Sequence, residues 1–157
     1  MSDLIEVFSG MPDPEKVRAI ERVALTLPQV DIGTQHLIHG KVSTRWGLIP
    51  KGCLLTGALT KIANTCIVWG DITVTTDEGT KRLQGFNVIP AEPGAKRAGI
   101  AHEDTWWATV HYTETLDQKA CEDEMTDEAE MLLTRRDGIE YRTVLEIEAC
   151  LESAEQR

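Results

Sequence analysis

Residues 65–75, TCIVWGDITVT, are the stretch that decides the fold class of this chain. Val, Ile, Thr and Trp favour extended strands, whereas Gly70 and Asp71 in the middle are residue types typical of a turn. Apolar residues do not recur here at the spacing of a helix. The stretch therefore predicts two short strands that meet at a Gly70-Asp71 turn.

Short segments of the same kind continue on both sides, over residues 36–112. Upstream, the residues Pro50-Lys51-Gly52 separate predicted strands at 43–49 and 53–59. Downstream, turns at 77–79 and 92–94 separate predicted strands at 81–83, 86–89, 96–101 and 106–112. Seven or eight short strands without helical crossovers predict a small antiparallel barrel or jelly roll and exclude a parallel sheet.

The sequence before residue 33 predicts one helix. Pro12, Asp13 and Pro14 form a start signal, and apolar residues then recur at helical spacing until Pro28. We expect a short amphipathic helix over residues 14–27, within an N-terminal helical arm of residues 1–32.

The chain after the barrel is acidic. Residues 114–157 carry 14 acidic and 5 basic side chains, whereas residues 1–113 carry 12 and 11. Thr115 to Gln118 has the form of a capping box, residues 127–136 are good helix formers, and residues 141–151 carry one apolar stripe. The sequence therefore predicts a barrel at 33–113 and an acidic helical tail at 114–157. The stripe must pack on its own barrel or on a neighbouring chain, and the sequence does not choose between them. Because the stripe offers an apolar surface for assembly, we expect a homo-oligomer.

Composition limits the function classes. The net charge of -10 argues against general nucleic-acid binding and against anionic lipid surfaces. No stretch is long and apolar enough for a membrane span, and residues 1–10 lack the features of a signal peptide. The four cysteines, at positions 53, 66, 121 and 150, are widely spaced, which is typical of reduced thiols inside a cell.

An ordered series of short motifs runs through the barrel region: IPKG at 49–52, LTG at 55–57, GDITV at 70–74, PGAKRAG at 93–99 and AHEDT at 101–105, followed by Trp107, Thr109 and His111. The series resembles small cupin-like proteins encoded by tailed bacteriophages and prophages. The resemblance implies a cupin-type barrel and a phage or prophage origin, in the host cytoplasm or in the virion, with other phage structural proteins as partners. It implies no reaction.

The resemblance also implies where a cupin metal site would lie. The usual ligand positions fall near Leu59 or Thr60, at Asn64 and at Arg97. None of these side chains is a good metal ligand, and Arg97 would repel a cation because it cannot lose its proton. We therefore expect no metal and no cofactor in the barrel.

The candidate ligand-binding residues lie on the last strands of the barrel. Trp107, Thr109 and His111 share one strand face, and Trp106, Ala108 and Val110 share the other. If the first face points inward, it forms a pocket for a small planar or sugar-like ligand. If the second does, Trp106 and Val110 fill the core, which is the commoner outcome in a small barrel.

Three further residues complete the candidate set. His102, in the polar loop before the last strand, is a candidate contact at the barrel rim. Lys96 and Arg97, with Lys81 and Arg82 two strands earlier, could bind a phosphate, although exposure on the solvent face of a strand is the default for basic residues.

Three hypotheses follow. The leading one is a noncatalytic phage-encoded cupin-like protein with an interaction or structural role, including in the virion. The second is a cupin that binds a nucleotide or a sugar in the host cell. The third is a metal-dependent cupin enzyme with ligands elsewhere in the chain. The sequence has no nucleophile or phosphate-loop motif, which lowers the case for an enzyme.

Overall fold

The computed structural model describes residues 13–76 and 78–135. Its first element is helix α1, Pro14–Ala24. The Asp13 side chain caps this helix by accepting a hydrogen bond from the Glu15 N–H at 2.9 Å. Val17 and Ile20 on its apolar face are buried against Leu54 and Ala98. The predicted helix is confirmed, although it ends at Ala24 rather than at Leu27.

The described residues contain seven strands, and every pair between them is antiparallel. The strands are β1 Gln35–His39, β2 Val42–Ile49, β3 Leu54–Thr56, β4 Asn64–Thr76, β5 Gly79–Ala91, β6 Ala98–Ala101 and β7 Thr105–Tyr112. Their order is β1-β2-β7-β4-β6-β3, and β5 pairs with the free side of β4. The predicted fold class, a mainly β jelly-roll-like barrel with a short N-terminal helix and a C-terminal helical segment, is confirmed.

Strand β4 joins the two halves of the barrel. Residues 65–69 pair with β7 and residues 72–74 pair with β6, while β5 follows β4 along its whole length. The prediction of two strands that meet at a Gly70 turn is wrong, because β4 continues through Gly70 and only changes its neighbour there. β5 is likewise one continuous strand. The hydrogen bonds between β4 and β5 outweigh the local turn preference of Gly70 and Asp71.

Gly70 is required at the point where β4 stops pairing with β7 and begins to pair with β6. A Cβ at Gly70 would lie 2.4 Å from Thr105 Oγ1, and its φ of +153° is one that other residues rarely adopt. Thr105 uses this space, because its hydroxyl accepts a hydrogen bond from the Asp71 N–H at 3.0 Å. The bend in β4 is therefore locked to the start of β7.

The tail begins with helix α2, Gln118–Met125. Asp117 caps it by accepting a hydrogen bond from the Ala120 N–H at 2.7 Å, so the helix does not start at the predicted Thr115 capping box. Two short 3-10 turns follow, Ala129–Met131 and Leu133–Arg135, in place of the helix predicted at 127–136. The predicted apolar stripe at 141–151 lies outside the described residues. In the described part of the chain, no helix is long and apolar enough to cross a membrane.

This part of the tail packs on its own barrel. The Lys61 N–H donates to the Met125 carbonyl at 2.8 Å, and the Thr126 hydroxyl donates to the Leu59 carbonyl at 2.6 Å. The Leu59 N–H donates to Glu128 at 2.8 Å. These long-range hydrogen bonds fix residues 125–128 in a conformation that helix propensity alone does not predict.

Candidate functional site

The curved sheet surrounds a partly open cavity of about 260 Å³. Its walls are the inward side chains of the strands, including Ile49, Ile72 and Val74, all of which belong to the buried core. The open side of the sheet is covered by residues that follow α1, such as Leu27, and by Met131 and neighbouring residues of the tail. The cavity is therefore built from all three segments of the chain and is mostly apolar.

Trp107 forms an aromatic wall of this cavity. It packs against the main core cluster, whereas Trp106 on the other face of β7 is 44% exposed. The register places Trp107 between Gly47 of β2 and Val68 of β4. The space beside Gly47 on the inner face is filled by Ile32, because a Cβ at Gly47 would lie 2.9 Å from the Ile32 carbonyl oxygen. The expectation that Trp106 and Val110 fill the core is therefore wrong, and the alternative with Trp107 inside is correct.

Two hydroxyl groups line the cavity without a hydrogen-bond partner. Thr109 lies in the cavity wall between Arg45 and Cys66 in the strand register, and its side chain makes no hydrogen bond within residues 13–76 and 78–135. The Thr34 hydroxyl is buried and also lacks a partner there. A buried hydroxyl without a partner costs free energy, and this applies to Thr34. Thr109 is only half-buried, and its hydroxyl is a second group available to a ligand.

His111 lies on the inward face of β7 but not in the cavity wall. It is 5% exposed, and its Nε2 lies 3.3 Å from Cys121 Sγ of α2. Burial, together with the nearby His36, lowers the pKa of His111. The imidazole is therefore neutral at neutral pH and serves the contact between barrel and tail. Of the predicted set Trp107, Thr109 and His111, the structure brings the first two together around the cavity.

Lys96 is buried, so the default of a solvent-facing lysine is wrong for this residue. Its ammonium lies 3.1 Å from a Glu21 oxygen and 2.9 Å from a Glu128 oxygen, and it donates to the Gly57 carbonyl at 2.9 Å. An ammonium has three hydrogens to donate, and all three have acceptors here. Lys96 therefore has no donor left for a phosphate.

The other basic candidates also have protein partners. Arg97 lines the cavity and donates to the Thr75 and Pro90 carbonyls, each at 3.0 Å. Arg82 forms a two-bond pair with Asp71, and Lys81 pairs with Glu78. The four cations of the predicted phosphate site are thus divided among separate contacts.

His102 lies at the far side of the sheet from the cavity wall. Its Nε2 is 2.7 Å from the Thr73 hydroxyl, and its backbone N–H donates to the Asp71 carbonyl at 2.8 Å. It does not contribute to the cavity lining, so the structure does not join His102 to Trp107 and Thr109.

The positions usual for a cupin metal do surround the cavity, because Thr60, Asn64 and Arg97 all line it. Their chemistry does not suit a divalent cation. The Arg97 guanidinium is positive, and the Asn64 amide already binds the Ile62 carbonyl and the Cys66 thiol. No group of three metal-ligating side chains occurs in the part of the chain that the structure describes. The residues therefore do not fit the metal that the resemblance would imply.

Sequence reasoning missed an ion network beside the cavity. Arg45 on β2 lines the cavity and donates to Glu122 of α2 at 2.9 Å, and Arg135 donates to the other oxygen of Glu122 at 2.8 Å. Burial opposes ionisation of Glu122, but hydrogen bonds from Thr134, Arg135 and Gln118 lower its pKa below the usual value. The alternation along β2 could have placed Arg45 inward, but its partner is 77 residues away.

No protein-family model and no curated protein matches the chain. A solved structure of unknown function from Rhizobium leguminosarum bv. viciae 3841 is 21% identical, covering 52% of this chain and 80% of its own, with a TM-score of 0.43. A cupin-2 domain protein from Shewanella frigidimarina NCIMB 400 is 9% identical, covering 60% and 91%, with a TM-score of 0.42. A cupin 2 conserved barrel domain protein from Salinispora arenicola CNS-205 is 14% identical, covering 57% and 84%, with a TM-score of 0.44. The mainly β fold described above follows from the strand order and register of this chain itself.

Proposed function

We propose that this chain is a noncatalytic, cupin-like binding protein whose cavity holds a small, uncharged and mainly apolar molecule with one planar ring. The observation that carries the proposal is the partly open, mostly apolar cavity with Trp107 as a wall and with the buried, unpartnered Thr34 hydroxyl and the half-buried Thr109 among its lining residues. Ligand pockets of proteins commonly combine apolar walls with a few polar groups that orient the ligand.

The charges around the cavity support a neutral ligand. Among the described residues that line it, there is no His, Asp or Lys, and the one carboxylate, Glu21, binds Lys96. Arg45 is neutralised by Glu122, and the Arg97 guanidinium donates to the Thr75 and Pro90 carbonyls. These walls thus supply no general acid or base, which favours binding over catalysis. They also supply no free cation for a phosphate, which disfavours a nucleotide ligand.

The volume of the cavity limits the size of the ligand. Drug-sized molecules occupy pockets of roughly 300–1,000 Å³, and about 260 Å³ lies just below that range. A single ring with a small polar substituent fits, because the ring can stack on Trp107 while the substituent binds a threonine hydroxyl. A nucleotide exceeds this space.

A thermal-shift screen of small aromatic alcohols, phenols and amides tests the proposal, with sugar phosphates and nucleotides as comparison classes. A compound present at about 100 times its dissociation constant stabilises the folded chain by about 2.7 kcal/mol. We expect hits in the neutral aromatic class. If every compound leaves the melting temperature unchanged, the proposal is wrong.

Matched tryptophan variants then locate the bound compound. Trp107→Leu should weaken binding of a hit at least about tenfold, whereas Trp106→Leu, on the opposite face of β7, should leave it unchanged. Thr109→Val removes one hydroxyl while keeping the side-chain shape and should weaken binding without unfolding the barrel. Equal effects of the two tryptophan variants would place the compound outside the cavity.

The second candidate is an interaction or structural role, including in a phage particle. It is supported by the large exposed aromatic side chains Trp69 and Phe86 on neighbouring strands. Mass spectrometry of purified particles, compared with infected-cell lysate, tests the virion role. Absence of the chain from the particles would exclude that role without affecting the cavity proposal.

A further inference from the structure

Three of the residues that line the cavity are exposed, and they mark its opening. Leu25 is 42% exposed, Met131 is 40% exposed, and Pro28 is also exposed. Every other lining residue is buried or half-buried. Leu25 is the C-cap of α1, and Met131 ends the first 3-10 turn of the tail. The opening therefore lies between the end of α1 and the tail, and we call these three residues the cavity rim.

The cavity rim is apolar and comes from two separate segments of the chain. Leu27 lies beside it on one side, and Leu132 and Leu133 lie beside it on the other. A single exposed leucine is ordinary in a protein surface, but several apolar side chains at the opening of a cavity mark a place where another surface docks. The cavity rim is thus a short apolar groove that the described residues leave uncovered.

The chain itself carries a segment with the pattern that fits such a groove. Val144, Ile147 and Leu151 recur at i, i+3 and i+7, the spacing with which an amphipathic helix binds a hydrophobic groove. We call these three residues, which belong to the predicted apolar stripe, the tail stripe. Residues 136–157 lie outside the described residues, so this pattern is a property of the sequence. Apolar side chains at this spacing need a partner surface.

The described part of the chain ends close to the cavity rim. Leu133 lines the cavity, and Arg135, two residues later, is anchored to Glu122 at 2.8 Å. Val144 follows Arg135 by nine residues, which span at most about 30 Å. A connection of this length gives a tethered segment an effective concentration in the millimolar range. The tail stripe of the same chain therefore reaches the cavity rim more readily than that of a second copy in dilute solution.

Charge near the cavity rim suits the same segment. Residues 144–155 carry four acidic side chains and no basic one. Arg22 lies one helical turn before Leu25, is exposed and makes no ion pair in the part of the chain that the structure describes. An acidic side chain that flanks the tail stripe can pair with this guanidinium. Such a pair contributes little to affinity at an exposed site, but it favours an acidic segment over a basic one.

We propose that the tail stripe docks on the cavity rim of its own chain and covers the opening of the cavity. A ligand then enters or leaves the cavity only while the segment is displaced. The docking itself does not rest on the proposed function, because it concerns the opening and not the cavity walls. Only its effect on ligand exchange rests on that function.

Disulfide trapping in the full-length chain tests the docking. Cys150 is next to Leu151 of the tail stripe, and Leu25→Cys places a second thiol on the cavity rim. The other cysteines, Cys53, Cys66 and Cys121, are buried. Two cysteines form a disulfide only when their Cα atoms come within about 7 Å of each other. Mild oxidation followed by peptide mapping should show a bond between position 25 and Cys150 in most molecules.

Leu116→Cys is the control for chance encounters. Leu116 is 82% exposed and does not line the cavity. A thiol at this position should form at least about tenfold less of the bond to Cys150, because only random motion of the tethered segment brings the two together.

A matched pair of tail variants, each combined with Leu25→Cys, tests whether the tail stripe causes the contact. Ile147→Asp places a carboxylate on the tail stripe and should lower the disulfide yield about tenfold, because burying a charge against an apolar groove is costly. Ala149→Asp adds the same charge on the opposite face of the same helical pattern and should leave the yield unchanged. Circular dichroism verifies that each variant is folded.

Oxidation of a mixture of isotope-labelled and unlabelled chains distinguishes the own chain from a second copy, because a bond within one chain never joins the two labels. The proposal is overturned if the bond joins the labels, if Leu116→Cys gives as much disulfide, or if Ile147→Asp and Ala149→Asp behave alike. These results stand whether or not the cavity binds a ligand.

Ligand exchange tests the covering of the opening. For a compound found in the thermal-shift screen, Ile147→Asp should raise the dissociation rate at least about tenfold, whereas Ala149→Asp should not change it. If trapping succeeds and dissociation is unchanged, the tail stripe docks without covering the opening, and that part of the proposal is wrong.

Discussion

The Nζ atom of Lys96 lies 2.9 Å from Oε2 of Glu128, and the Lys96 side chain is fully buried. The same ammonium lies 3.1 Å from Glu21 of α1. One charge on the barrel therefore holds both the helix before it and the tail after it. Burial opposes ionisation of Glu128, but the Leu59 N–H and the Lys96 ammonium lower the pKa of Glu128 below its usual value. The tail is held in place by its anionic form.

Replacing Lys96 by Met should destabilise the chain strongly. The variant leaves Glu21 and Glu128 without their shared cation, and breaking a buried pair in this way costs about 3–5 kcal/mol. Urea unfolding measures the loss. Lys41→Met is the matched control, because Lys41 pairs with Glu114 at an exposed site and should change stability very little. Equal losses in the two variants would contradict the role of Lys96.

Stability should fall in acid, partly through Asp71. Hydrogen bonds from Arg82 lower the pKa of Asp71 to about 2, against the opposing effect of burial. Because the folded pKa is below the ordinary value of 3.8, the contribution is complete above pH 3.8 and is lost as the pH falls towards 2. Urea unfolding at a series of pH values should show a smaller acid dependence for Asp71→Asn than for the wild type. Parallel curves would refute this.

Replacing Gly70 by Ala should destabilise the bend of β4. The new Cβ would lie 2.4 Å from Thr105 Oγ1 and 2.7 Å from Thr105 Cα, so β7 must shift, at a cost of about 3 kcal/mol. Gly85, the partner of Gly70 on β5, also has a positive φ but has open space around it. Gly85→Ala should therefore cost only about 1–2 kcal/mol, which is the backbone strain alone. Thermal unfolding of both variants separates the close contact from the strain.

Replacing Glu122 by Gln should loosen α2 from the barrel. The Glu122 side chain is 3% exposed and neutralises Arg45 and Arg135, so its loss leaves two guanidinium groups without their shared carboxylate. We expect a loss of about 3 kcal/mol and faster hydrogen exchange in α2. Glu130→Gln is the control, because Glu130 also pairs with Arg135 but is 81% exposed. If α2 exchanges equally fast in both variants, Glu122 does not anchor it.

The fold could be predicted from the sequence wherever the signal is local. Pro14 and Pro28 bracket α1, and the strands β2 and β7 follow their β-branched and aromatic residues. The prediction failed at Gly70, where a turn signal lies inside a long strand. The propensity of Gly70 is local, whereas β5, β6 and β7 are separate parts of the chain whose hydrogen bonds keep β4 extended.

The candidate site could be predicted only in part. Alternation along β7 separated Trp107 and Thr109 from Trp106, but it could not say which side was inward. That choice depended on the core cluster of Ile49, Val68 and Ile72, which comes from other strands and packs against Trp107. For Lys96, the strand pattern favoured exposure, and only the approach of Glu21 and Glu128 from distant segments makes its burial possible.

The sequence alone determined the class of this protein: a mainly β antiparallel barrel preceded by one helix, because residue preferences and turn signals act over a few neighbouring residues. Only the tertiary structure decided which side of the sheet lines the cavity and which side exposes Trp69, Phe86 and Trp106. It also decided that Lys96 and Glu122 are buried. These properties depend on side chains that are distant in the sequence and come into contact only when the sheet has formed. A local sequence pattern does not predict such contacts.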